Sequence, residues 1–202
     1  KGEVHVLASY HGRVQLIRFK DHKLIKDYSS YGSCHSAELL PDGKIVTANS
    51  NHGKLRIHHT AEKFTDLDLP YAHGVTWDKK RQCLWALGDL LYRINYTEGK
   101  LTIDKIYKFP MTPTGHDLFP LRKDAKLLVS NNDALFLFDI TTEKFETISK
   151  LNGIKSASQH QDGTIWISDP ADLKGCGSWQ SDAVIRIRPT GAILRYRNEG
   201  AR

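Results

Sequence analysis

The chain has 202 residues, 40% hydrophobic and 26% charged, a length and balance that suit a soluble globular domain and exclude disordered and fibrous classes. Twenty-nine Lys and Arg against 23 Asp and Glu give a net charge of +6, a mild bias toward anionic partners. The basic residues are spread along the chain with no patch or arm, so nucleic acid is not an expected partner, and no run of 18 apolar residues is present to span a membrane.

The first segment, residues 3–29, supplies three β-type runs: Val4 to Tyr10, Arg13 to Phe19 and Lys23 to Tyr28. Next, His35 to Leu40 leads through the turn Pro41-Asp42-Gly43-Lys44 to Ile45–Ser50, then to Leu55–Thr60 and Phe64–Pro70. A third segment opens at His73-Gly74-Val75-Thr76-Trp77-Asp78 and continues through Cys83–Leu87 and Leu91–Ile94. The fourth opens at His116-Asp117-Leu118-Phe119, with Lys126–Ser130 and Ala134–Phe138 after it. The fifth opens at Lys155-Ser156-Ala157 and ends with Ala183–Pro189 and Ala192–Asn198.

The openings at His35, His73, His116 and Lys155 stand 38, 43 and 39 residues apart, which is the length of a four-stranded propeller blade. The runs are short, β-branched and aromatic, and no amphipathic helix is evident. The expected fold is therefore an all-β propeller in a single domain over 1–202, with blades at 3–29 (incomplete), 35–70, 73–110, 116–151 and 155–198. Nineteen strands fall one short of five blades. Because Lys1 also opens without the features of a signal peptide, the chain reads as a trimmed piece of a longer propeller, of six blades for instance, in preference to a ring closing imperfectly at five.

The first strand of a blade lines the central channel, so His35, His73, His116 and Lys155 are expected in an arc around one mouth. Three imidazoles there could ligate a divalent transition metal, act as acid or base, or simply pack by bonding backbone carbonyls. Lys155 places a cation in the fourth position, as a base or as the partner of a carboxylate such as Glu38 or Asp117. The long connection 170–182 lies on the same face. There Trp179 is a candidate platform for a sugar ring, with Gln180 and Asp182 as hydrogen-bonding partners. Asn51-His52 and Asn131-Asn132-Asp133 read as turns, His58-His59 as surface, and Gln161-Asp162-Gly163 as a hairpin turn on the opposite face. Cys34, Cys83 and Cys176 form no C-x-x-C pair, which permits at most one bridge and a free thiol.

Cys34-His35-Ser36-Ala37-Glu38-Leu39-Leu40-Pro41-Asp42-Gly43, Ala72 to Asp78 with Leu84 to Gly88, Gly115 to Leu118 and Ile154 to Ser156 resemble the successive blade openings of a bacterial β-propeller family of unknown function. Its members are mostly secreted. The resemblance implies the propeller fold and a periplasmic, cell-surface or extracellular location, and no reaction. A looser similarity to propeller-fold polysaccharide lyases implies an anionic oligosaccharide as ligand. In that arrangement His35, His73 and His116 hold the metal, and Lys155 or His160 is the base that removes a proton. The alternative expectation is a non-catalytic propeller that presents its face to a protein or glycan.

Overall fold

The computed structural model describes residues 3–121, 124–169 and 180–197. The chain forms two compact units, 1–108 and 109–202. Among the described residues there are nineteen strands and a single 3-10 turn, Ser50–His52, closed by Gly53 in the left-handed conformation.

The first unit holds three antiparallel meanders. β1 (His5–Tyr10), β2 (Arg13–Arg18) and β3 (Lys23–Ser29) form a three-stranded sheet. β4 (Cys34–Leu39), β5 (Ile45–Asn49), β6 (Lys54–His58) and β7 (Phe64–Asp68) form the next, followed by β8 (Gly74–Asp78), β9 (Cys83–Leu87), β10 (Leu91–Thr97) and β11 (Lys100–Tyr107). The second unit holds two four-stranded sheets. One is β12 (Gly115–Pro120), β13 (Lys126–Asn131), β14 (Leu135–Asp139) and β15 (Lys144–Ser149). The other is β16 (Ala157–Gln159), β17 (Ile165–Ser168), β18 (Ala183–Ile187) and β19 (Ile193–Arg197). Each sheet pairs its strands in chain order, so every sheet is a propeller blade, and the expected fold class and strand count hold.

Burial explains why these short runs form strands. β5 and β9 are buried along their whole length, whereas the last strand of each four-stranded sheet is largely exposed. The second strands read as continuous apolar runs because both faces of the sheet are covered. In the first unit, Leu40, Val46, Leu55, Val75, Leu84 and Ile94 share one core, which lies between the second and third sheets. In the second unit, Leu128, Leu135, Ile154, Ile167, Ile185 and Ile187 do the same for its pair of sheets.

Neighbouring sheets within a unit are also joined by half-buried carboxylates. Trp77 N–H donates to Glu38 Oε2 at 2.9 Å and Leu39 N–H to Glu38 Oε1 at 3.0 Å. In the second unit Ala157 N–H donates to Asp117 Oδ2 at 2.5 Å and Leu118 N–H to Oδ1 at 3.0 Å. These bonds span 39 and 40 residues, the repeat step itself. Glu38 and Asp117 thus bind backbone amides of the next sheet, which corrects their expected role as partners of Lys155. Burial pushes both acids up, Asp117 to about 6, even though the amide donors oppose the shift.

His58 is also not at the surface. It is 1% exposed, its ring stacks on Tyr28 with centroids 5.5 Å apart, and its Nε2 is 3.1 Å from Thr47 Oγ1. Desolvation, helped by Arg56, pushes it down to about 4. A strand end reads as exposed in sequence, but the neighbouring sheet covers this one. Cys34 and Cys83 are free and buried, with Cys83 pushed up to about 11 by burial, so neither is a reactive thiol. Cys176 lies outside the described residues.

Candidate ligand site at the strand starts

Four sheets begin near the side chains that the repeat singles out, and two of those beginnings are irregular. Cys34 faces Asn49 while Ser36 faces Ala48, so His35 is the extra residue of a β-bulge. His116 occupies the same place in its own sheet, between Gly115 facing Asn131 and Asp117 facing Ser130. A bulge breaks the two-residue alternation and re-aims the side chain it carries. At the last sheet, Ser168 Oγ accepts from both Lys155 N–H and Ser156 N–H at 3.1 Å, which fixes the backbone at that start.

In the first unit the rings of His35 and His73 meet, with centroids 4.3 Å apart and planes at 45°. The ring of Tyr71 lies 4.1 Å from that of His73. His73 Nδ1 is 2.9 Å from the carbonyl oxygen of Tyr71, and a carbonyl only accepts, so Nδ1 carries the proton and Nε2 the lone pair of the neutral ring. Desolvation pushes His35 below the usual imidazole range. Tyr71 has φ +58°, a left-handed conformation that costs energy for a bulky residue. Gly88 makes that bend possible, because a Cβ there would stand 2.3 Å from Pro70 O. Asp89 N–H caps the same oxygen at 2.9 Å.

In the second unit the equivalent positions make a polar relay. Lys155 Nζ lies 2.7 Å from His116 Nε2, and Asn132 Oδ1 lies 2.5 Å from the same nitrogen. Asn132 Nδ2 in turn donates to Thr114 Oγ1 at 2.7 Å. Thr114 has φ +90°, a strained value for a β-branched residue, and strain of this kind persists only where the surroundings impose it. With Oδ1 as acceptor, the Nε2 proton of His116 points to Asn132, and Lys155 Nζ is the second polar group at the same nitrogen. Burial pushes Lys155 below its ordinary value.

Asn132 and Thr114 are the members that sequence reasoning missed. Asn132 sits in a turn-forming triplet, where the turn itself is made by Asn131, whose Oδ1 accepts from Asp133 N–H and Ala134 N–H. The two candidate bases are not together. His160 sits just past the far end of β16, five residues and about 16 Å of extended chain from Lys155. It is part of the hairpin turn there, with Nδ1 3.2 Å from Asp162 Oδ1. Asp182 pairs with Arg197 at 3.3 Å, and Gln180 is exposed beside it. Trp179 and the rest of 170–179 lie outside the described residues.

Chain-ordered four-stranded meanders with polar groups at their strand starts define the protein as a β-propeller. Within that class it belongs to a family of unknown function, DUF6528, whose model matches residues 3–194. No curated protein matches its sequence. Among solved structures it is similar to virginiamycin B lyase of Staphylococcus aureus, at 14% identity and TM-score 0.70 over 98% of this chain and 68% of that one. It is also similar to hydrazine synthase of Kuenenia stuttgartiensis (12%, TM-score 0.72, 96% and 62%). A third is a protein of unknown function from Bacteroides caccae (15%, TM-score 0.68, 96% and 78%). At these identities the likeness is one of fold. Among the described residues no helix is long and apolar enough to cross a membrane.

Proposed function

We propose that this propeller binds anionic carbohydrate, with His116 and Lys155 meeting the carboxylate of a uronate unit. The 2.7 Å contact between Lys155 Nζ and His116 Nε2 carries the reading. Two full positive charges at that separation repel strongly, so the pair holds a single charge near neutral pH and keeps one nitrogen lone pair. A cation with an adjacent base is what β-elimination from a uronate needs. The base takes the C5 proton, its bonding electrons form the C4–C5 double bond, the C4–O bond breaks, and a proton passes to the departing oxygen. The net charge of +6 favours approach of such a polymer, and a periplasmic or extracellular location is where the chain would meet it.

A metal role for His35 and His73, the pair within the first unit, stands as a second reading. It is favoured by the His35–His73 contact and by the carbonyl of Tyr71, which holds the far nitrogen of His73 as hydrogen-bonded carbonyls do behind metal-bound histidines. Among the described residues, no cluster of three or more His, Cys, Asp or Glu is arranged to hold an ion. Calorimetric titration with oligogalacturonate, together with absorbance of the unsaturated product, tests the main proposal. Saturable binding that weakens about tenfold or more in Lys155→Met and His116→Ala is expected. A chain inert to uronate polymers by both measures is a non-catalytic scaffold instead. Stoichiometric transition metal that is lost in His73→Ala would establish the second reading.

A further inference from the structure

The two hairpin turns of the last sheet flank an open pocket of about 460 Å³ at the opposite end of β16 from Lys155. Strand alternation gives it a mixed lining of charged, hydroxyl and aromatic side chains. Ile165, Ile167, Ile185 and Ile187 face the core, so Thr164 and Trp166, with Arg186 and Arg188, belong to the other face, where Trp166 sits directly across from Arg186. Gly163, at φ +87°, lets the turns approach, since a Cβ there would come 3.2 Å from Pro189 Cγ.

Arg186 is the centre of the pocket wall. Its guanidinium carbon lies over the rings of Trp166 and Tyr196, 5.8 and 5.3 Å from their centroids. Its Nε–H is buried and makes no hydrogen bond, although a buried donor without an acceptor costs about 1–3 kcal/mol. Arg188 adds an exposed second guanidinium, and Thr164 and Thr190 add hydroxyls. Opposite them, Asp162 Oδ1 lies 3.2 Å from His160 Nδ1.

We propose that this pocket is a second binding site, for a small hydroxylated organic anion. Its oxyanion sits on the Arg186 and Arg188 guanidinium groups, its carbon body lies against Trp166 and Pro189, and its hydroxyls bond Thr164, Thr190 and the Asp162–His160 pair. The volume suits a monosaccharide acid, and the guanidinium fork suits a carboxylate or a sulfate. His160 then acts as a binding group here and takes no part in the chemistry of His116 and Lys155.

Calorimetric titration of the full chain with glucuronate, glucose 6-sulfate and glucose tests the site, the two anions separating carboxylate from sulfate recognition. At least one anion should bind saturably, with an affinity that falls as salt is added, and glucose should not bind. Arg186→Gln and Arg188→Gln should each weaken the anion about tenfold. Lys155→Met should leave the affinity of this site unchanged and remove only binding at the strand starts. If Arg186→Gln fails to fold, Arg188→Gln, which alters an exposed turn residue, carries the test. Wild-type affinity in the arginine variants, or no binding of either anion by the folded protein, overturns the proposal. Binding lost in Lys155→Met and kept in Arg188→Gln overturns it as well, while leaving the strand-start reading intact.

Discussion

The two units place different chemistry on the same scaffold position. In residues 1–108 the sheet starts bring His35 and His73 ring to ring. In 109–202 they bring His116 and Lys155 nitrogen to nitrogen, with Asn132 and Thr114 behind them. Both pairs span one repeat, and His35 and His116 are both bulge residues. The backbone repeat therefore fixes where side chains meet, and a single residue, lysine in place of histidine, decides whether the meeting is an aromatic contact or a charged hydrogen bond.

The largest test of this comparison concerns the carboxylate links that hold the pairs in place. Asp117→Ala strands two buried amides and should cost about 2–4 kcal/mol in denaturant unfolding. Asp117→Asn keeps an acceptor without the titration. Because the native acid is raised to about 6, it stabilises fully when protonated, and that stability is lost as pH rises from about 4 through 6. The Asn variant loses one of the two acceptors at every pH but lacks the titration, so its stability should rise by about 2 kcal/mol relative to wild type between pH 4 and pH 7.

The first unit should respond to pH in the opposite sense. His58, lowered to about 4, stabilises when neutral and loses that contribution as pH falls from 6.5 toward 4, by about 2 kcal/mol after allowance for solvent screening. In wild type this slope opposes that of the raised acids. Unfolding of His58→Gln between pH 4 and 6.5 should expose the combined slope of Asp117 and Glu38, and a flat profile in that variant would contradict the assignment.

Smaller effects follow at the pairs themselves. Lys155→His turns the second pair into a copy of the first, and uronate binding should weaken about tenfold, roughly 1.4 kcal/mol, in calorimetry. His73→Ala removes two ring contacts, with His35 and Tyr71, and one local hydrogen bond. It should lower stability by no more than about 1 kcal/mol and leave uronate binding unchanged unless a metal joins the imidazoles.

The fold was legible because repetition amplifies weak local signals. A run such as Leu84-Trp85-Ala86-Leu87 is ambiguous alone, but its recurrence about every 40 residues with turns between is not. The strand-start positions were legible for the same reason. Their pairing was not, because bulges at His35 and His116 and the strained backbone of Thr114 arise from the meeting of strands and leave no mark on local composition. His58 was misread because burial at a strand end depends on Tyr28, in a different sheet. Glu38 and Asp117 looked like counterions for a lysine, yet their targets are main-chain donors, which every residue but proline supplies.

Those acids reach forward by one repeat, Glu38 from the second sheet to the third and Asp117 from the fourth to the fifth, so each of these two joints has a carboxylate on one side and an amide on the other. Such a joint has a plug and a socket, and a tandem gene duplication that copies a whole repeat copies both. The new sheet arrives already able to dock onto its parent, and its strand start is then free to exchange histidine for lysine without loss of the array.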